Sequence, residues 1–201
     1  MAKEPAPGKA KTRLIPALGE EGAAALANRL LNHALQQALS ANIGPVELCI
    51  TPNPNNPFWQ TLDHAGEYEF SAQVEGDLGK RMATAARRGL SRGTPVLIIG
   101  TDCPDLSAQR LRTMAESLHT HDCCLCPVMD GGYALIGLRR FDASLFSSIP
   151  WSTEQVVDIT RARIESLNWS CYESECLSDV DEPQDLDRLA EYYPQLATDR
   201  A

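Results

Sequence analysis

The sequence predicts a single α/β domain with a mainly parallel sheet and helices on both of its faces. Short apolar runs without alternation, such as "VLII" at 96–99 and "CCLCPV" at 123–128, suit strands buried on both sides. Segments of helical composition, ten residues or longer, alternate with these runs, as crossover connections between parallel strands require. At 201 residues the chain is long enough for one domain with a sizeable core.

The elements follow in order. After a Pro- and Gly-rich opening, "GEEGAAALANRLLNHALQQALSAN" (19–42) predicts a helix: it is rich in Ala and Leu, carries acids in its first turn and lacks proline. "PVELCIT" (45–51) predicts a strand, "PNPNNP" a breaker-rich loop and "YEFSAQV" (68–74) an alternating strand. "DLGKRMATAARRGLSRG" predicts a helix with Gly93 near its C-terminal end. Behind the strand at 96–99, Ser107 caps the helix of "SAQRLRTMAESLHTH". The strand "CCLCPV" and the strand "YALIGL" (133–138) flank a glycine turn. Ser152 or Thr153 is the expected cap of "STEQVVDITRARIESL". "WSCYESECL" predicts a last strand, and "PQDLDRLAEYY" a last helix with Pro183 in its first turn. Residues 1–194 form the expected domain and 195–201 a frayed tail.

Composition narrows the function classes. A net charge of −9 argues against a broad nucleic-acid-binding face. No apolar run approaches the ~18 residues of a membrane span, and no signal-peptide core follows the N-terminus. Seven cysteines without zinc spacing read as reduced, mostly buried thiols, which with the missing signal gives a cytoplasmic expectation. Against the acidic total, residues 1–13 hold Lys3, Lys9, Lys11 and Arg13 and one acid, Glu4. A basic opening on an acidic chain suggests a local anion site.

Four segments could carry chemistry. In "KEPAPGKAKTRL" the prolines and Gly8 shape a loop whose Lys9, Lys11 and Arg13 could surround phosphates, although the glycine spacing is not that of a P-loop. In "GTDCPDL", Asp102 stands at the carboxyl end of a buried strand, where α/β sheets bind ligands. A carboxylate there suits magnesium, which takes one or two carboxylates together with substrate phosphates. Two turn-forming aspartates explain Asp102 and Asp105 equally well. "DGGY" (130–133) makes a hairpin turn by itself, and a substrate-lining role for Asp130, Gly131, Gly132 and Tyr133 is an addition to that. In "SDVDEPQDL", Asp179 and Asp181 precede a helix, so capping by Asp181 or Glu182 competes with metal binding. Cys103 reads as a small packing residue, and the four histidines form no ligand pair.

Together and in this order, "AKEPAPGKAKTRL", "EGDLGKRM", "GTDCPDL", "DGGYALIGL", "PWSTEQVV" and "DVDEPQDL" resemble a bacterial family of small GT-A-fold transferases, glycosyltransferase-like proteins of arsenosugar biosynthesis or associated with selenodomains. More distantly the layout is similar to nucleotidyltransferases that build molybdenum-cofactor, isoprenoid and deazaflavin precursors. The resemblance runs from Ala2 to about Leu189. It implies a GT-A, Rossmann-like fold for nucleotide-diphospho-sugars, with Lys9, Lys11 and Arg13 as the phosphate-contacting loop. It further implies Asp102 as the metal-binding aspartate, Asp130, Gly131, Gly132 and Tyr133 as the substrate-side turn, and Asp181 as the acid before the last helix. Folds of this kind open with a buried strand leading into the basic loop, and here the loop begins at residue 3. A start codon assigned late is the expectation.

The implied activity is a metal-dependent glycosyl transfer from a nucleotide-diphosphate sugar to a small-molecule acceptor. Mg2+ or Mn2+ would be held by Asp102 and Asp181, with Asp130 the nominee for a catalytic base beside Asp102. A nucleotidyltransferase releasing pyrophosphate from a nucleotide triphosphate is the alternative of the same architecture. A non-catalytic nucleotide-binding protein is the alternative of another class.

Overall fold

A computed structural model of the chain describes residues 1–64 and 66–197. Among these residues it has seven strands and six α-helices. The strands are β1 (Ala2–Lys3), β2 (Glu47–Thr51), β3 (Glu69–Ala72), β4 (Val96–Ile99), β5 (Cys123–Pro127), β6 (Tyr133–Leu138) and β7 (Cys171–Glu173). The helices are α1 (Ile15–Ala41), α2 (Leu78–Leu90), α3 (Ala108–Ser117), α4 (Val156–Ser166), α5 (Asp185–Tyr192) and α6 (Pro194–Ala197). One group of strands runs in the order β1-β2-β3, all parallel, and the other in the order β4-β6-β5-β7. The Met1 nitrogen donates to Ile99 O at 2.9 Å, which sets β1 beside β4 and joins the two groups. The mainly parallel expectation is corrected at one strand: β6 runs antiparallel to both β4 and β5, because the tight turn at 129–132 returns the chain directly.

The unpatterned apolar strands are explained by burial on both sides. Along β5, Cys124 and Cys126 pack with α3 residues Leu111 and Met114 and with Ala41 of α1. The intervening Cys123 and Leu125 pack with Met82 and Ala86 of α2 and Ile164 of α4. Successive strand residues point to opposite faces, so helices cover both. Five cysteines are buried, Cys171 is half-buried, Cys176 is exposed, and all seven are free thiols.

Local chemistry sets most boundaries. Gly19, at φ 71°, interrupts α1, so its long part starts at Glu20 with the two acids in the first turn, and Asn42 closes it in a left-handed conformation. Asp77 caps α2 by accepting from Lys80 N, and Ser107 caps α3 by accepting from Arg110 N. Two helix starts, those of α4 and α5, differ from expectation. Helix α4 starts at Val156, not after Ser152 or Thr153; Ser152 adopts φ 65° and the Thr153 hydroxyl donates to Pro150 O. Residues 195–197 of the expected tail lie in α6. Leu196 is buried against α1 and α5, and its carbonyl accepts from Arg29 Nε at 2.8 Å. Residues 198–201 of that expected tail lie outside the described residues. Among the described residues no helix is long and apolar enough to cross a membrane.

Candidate active site at the strand ends

The site is built where β1 and β4 end. After β1 the chain turns through Gly8, at φ 70°, and Lys11 adopts a left-handed backbone at φ 47°. That turn sends the Lys11 side chain inward, where only 5% of it is exposed. Its ammonium pairs with Asp102 Oδ1 at 2.5 Å, donates to Val180 O at 2.5 Å and lies 3.7 Å from Asp181 Oδ1. Arg13 pairs with Asp181 Oδ2 at 2.8 Å and with Glu182 at 3.3 Å. Val180 N donates to Asp102 O at 2.9 Å, so the 179–181 segment lies directly on the Asp102 loop. Three parts of the chain far apart in sequence therefore meet around one buried cation.

This arrangement decides how the predicted residues stand to one another. Lys11, Arg13, Asp102 and Asp181 form one connected cluster. The Lys9 side chain makes no ion pair among the described residues; its carbonyl accepts from Lys3 Nζ at 2.6 Å. Asp181 is not the cap of the last helix. The N-cap position of α5 is Gln184, which makes no side-chain cap hydrogen bond; Asp185 Oδ2 instead closes the preceding turn, accepting from Asp181 N at 2.9 Å and Glu182 N at 2.7 Å. Helix α5 accordingly starts at Asp185, two residues beyond Pro183.

The turn carrying Asp130 makes the expected hairpin. Asp130 Oδ1 accepts from Gly132 N at 2.8 Å, and Gly131 has φ 85°. A Cβ on Gly131 would stand 2.1 Å from Glu154 O, so only glycine lets the turn approach that carbonyl. Gly131 O accepts from Val157 N at 2.8 Å, which ties the turn to α4. Tyr133 points the other way: its ring packs edge-on to Trp151 within the core, and burial pushes its hydroxyl pKa well up. It lines the interior, away from the strand-end cluster. Asp179, between the turn and the cluster, is pushed up to about 6 by burial and then by the charge of Asp130.

The other residues of "GTDCPDL" are structural. Asp105 accepts from Tyr193 OH at 2.6 Å and pairs with Arg188, fastening the α5 end to the β4 end. Burial pushes the Cys103 thiol up to about 12, which keeps it protonated at neutral pH. Two polar residues at this edge carried no role in the sequence reading. Gln73 Nε2 donates to Ala2 O and Cys49 O, both at 3.0 Å, and Arg81 donates to Gly76 O at 2.9 Å. Only the motif "EGDLGKRM" marked this region, because a glutamine after a strand has no signature of its own.

No group of three or more His, Cys, Asp and Glu side chains placed to hold a metal ion occurs among the described residues. The donors present are nevertheless oxygen ligands of the hard kind, and the Asp102 side chain is 54% exposed. They fit a divalent cation whose remaining ligands come from substrate phosphates and water.

A family model described as "Uncharacterized protein conserved in bacteria (DUF2064)" matches residues 34–153, more than half of the chain. The chain belongs to this family. The DUF2064 match spans Asp102 and the Asp130 turn but not the basic loop or Asp181. A solved structure from Desulfovibrio desulfuricans G20, described as a "putative nucleotide-diphospho-sugar transferase", is similar over 96% of this chain and 84% of its own. Its sequence identity is 28% and its TM-score 0.86. Rv0371c from Mycobacterium tuberculosis H37Rv shares the fold, with 18% identity and a TM-score of 0.53 over 81% of this chain and 83% of its own. No curated protein matches the sequence.

Proposed function

We propose that this DUF2064 chain is a metal-dependent glycosyltransferase-like enzyme that uses a nucleotide-diphosphate sugar. It would belong with the transferases of arsenosugar biosynthesis or selenodomain association that the motifs resemble. The observation that carries the reading is the Lys11 ammonium, buried between Asp102 and Asp181 at the strand ends, where α/β sheets take phosphorylated ligands. The 28%-identical nucleotide-sugar-transferase-like structure supports the same ligand class. In this reading Asp102 and Asp181 hold Mg2+ or Mn2+, which when bound would stabilise charge on the departing diphosphate. Lys9, whose side chain makes no ion pair among the described residues, and the half-exposed Arg13 would approach the diphosphate oxygens; Lys11 keeps the two carboxylates together. Asp130 presents its second oxygen to an acceptor hydroxyl, since Oδ1 is committed to Gly132 N. Gly131 and Gly132 shape the turn that presents Asp130.

The reading favours a diphosphate over a triphosphate. Lys11 and Arg13 are already neutralised by Asp102, Asp181 and Glu182, which leaves Lys3 and Lys9 as the loop cations without an ion pair among the described residues. The test is to incubate the protein with magnesium and a panel of nucleotide sugars and nucleotide triphosphates, then weigh the nucleotide products. Release of a nucleoside diphosphate is expected. Pyrophosphate would assign a nucleotidyltransferase instead, and no product from any donor, with nucleotide bound, would assign a binding protein.

A further inference from the structure

Two of the seven thiols stand side by side in the sheet. Strands β5 and β7 are parallel neighbours, and their register sets Cys123 opposite Cys171. Both side chains enter the same apolar layer, beside Ile164, Leu167 and Trp169. Neighbouring strands lie ~4.7–4.9 Å apart, inside the Cα separation of roughly 4.4–6.8 Å that a disulfide spans. Cys123 is buried, whereas Cys171 is half-buried. Hydrogen bonding from the Cys123 thiol lowers the Cys171 pKa against the opposing effect of burial, and Arg161 adds a smaller lowering. The same contact raises Cys123 and keeps it protonated. The neighbouring thiols are shifted the other way. Burial pushes Cys124 up to about 12 and raises Cys126. The exposed Cys176 is also raised by partial burial, and its Sγ lies 3.5 Å from Met129 Sδ.

We propose that Cys123 and Cys171 form a peroxide-responsive dithiol site, in which Cys171 is oxidised first and Cys123 resolves it to a reversible disulfide. With hydrogen peroxide as oxidant the chemistry balances. The Cys171 thiolate attacks one peroxide oxygen: an S–O bond forms, the O–O bond breaks, and the departing hydroxide takes a proton and leaves as water. Cys123 then gives up its proton and attacks Cys171 Sγ. The S–S bond forms, the S–O bond breaks and a second water leaves, so two thiols are oxidised and one peroxide is reduced. Three features select this pair. Cys171 is reached from solvent and has thiolate character, the two properties that make a thiol open to oxidation. Cys123 stands opposite it in the ladder, where it intercepts the sulfenic acid before irreversible oxidation. Strand β7 has three residues and, among the described residues, no strand on its outer edge, so it can close on β5 as the bond forms. Beyond the pair, Ser174 N donates to Leu125 O at 3.0 Å and Leu177 N to Pro127 O at 2.9 Å, which holds the rest of the edge in place.

The test exposes the folded full chain to hydrogen peroxide, alkylates the remaining thiols and maps linked peptides by mass spectrometry, before and after dithiothreitol. The expected result is a Cys123–Cys171 link, with alkylation lost at both positions together and restored by dithiothreitol. Amide exchange in β7 should slow in the linked form. In Cys123→Ala the first intermediate has no partner, so dimedone should capture sulfenic acid at Cys171, and longer exposure should give sulfinic acid that dithiothreitol does not reverse. Cys171→Ala, a change at a half-buried position, guards against a Cys123→Ala protein that misfolds; Cys123 should then stay unoxidised inside the core. Retention of both thiols while Cys176 oxidises would overturn the proposal. So would a link that forms only in urea, or one that joins Cys171 to a different cysteine. Equal dimedone capture in the unsubstituted chain and Cys123→Ala would overturn the resolving role, and oxidation of Cys123 in Cys171→Ala would overturn the order of events.

Discussion

At the residue scale, the position of Asp181 separates two roles that its place before a helix made equivalent. Because Asp185 satisfies the backbone N–H groups ahead of α5, Asp181→Ser should leave Tm within a few degrees. In the proposed reaction the same change should lower activity at least about tenfold, since a hydroxyl is a poor magnesium ligand and Arg13 loses its carboxylate. Asp185→Ala should do the reverse, costing about 1–3 kcal/mol of stability through the two lost backbone hydrogen bonds, with a smaller effect on turnover. Thermal melts and nucleotide release on both variants check the pair, and an active Asp181→Ser enzyme would refute the ligand role. Asp102 and the cations near it were legible as a strand-end acid and a basic loop. That Lys11 sits between Asp102 and Asp181 was not, because the contact joins residues far apart in the chain and depends on a left-handed backbone at Lys11 itself.

At the element scale, the turn and the strand mouths carry separable predictions. Gly131→Ala combines a left-handed φ with a Cβ inside the Glu154 carbonyl, and should destabilise by roughly 2–4 kcal/mol. That corresponds to a Tm loss of about 4–16 °C for a chain of this size, readable by calorimetry. Asp122, just before β5, accepts from Arg139 at 2.8 Å and from Ser170 N at 2.9 Å, which holds the start of β5 to the residue preceding β7. The Arg139 hydrogen bond, foremost, lowers its pKa to about 2. An unfolded aspartate titrates near ~3.9, so the unfolded state binds the proton first. The stabilisation from Asp122 is therefore complete above about pH 5 and disappears as pH falls through 2. Asp122→Asn should flatten the stability–pH curve between about pH 2 and 4, relative to the unsubstituted chain, in urea melts; an unchanged curve would show that Asp122 does not supply that dependence. The DGG hairpin was readable from three letters, whereas the antiparallel course it imposes on β6 came with a neighbour order, β4-β6-β5, that local pattern does not encode.

At the scale of the whole molecule, the two ends of the domain close on each other. Leu196 inserts beside Leu26 and Leu30 of α1 and Leu186 of α5, and Asp105 holds Arg188 and Tyr193 to the β4 end. Leu196→Ala should cost about 2–5 kcal/mol and lower Tm by about 4–20 °C; a shift under 2 °C would mean that the last helix contributes nothing to the core. The sequence alone determined the α/β class, the succession of strands and helices, the burial of β4 and β5 on two faces and the list of chemical segments. Each of these follows from local composition, spacing or the turn chemistry of Gly, Pro and Asp. The tertiary structure alone decided which acids pair with Lys11, that the Tyr133 ring packs against Trp151 and that 195–197 pack against α1 and α5. Those outcomes depend on contacts between residues up to 169 positions apart, as from Lys11 to Val180, and chain-local patterns carry no record of such distances.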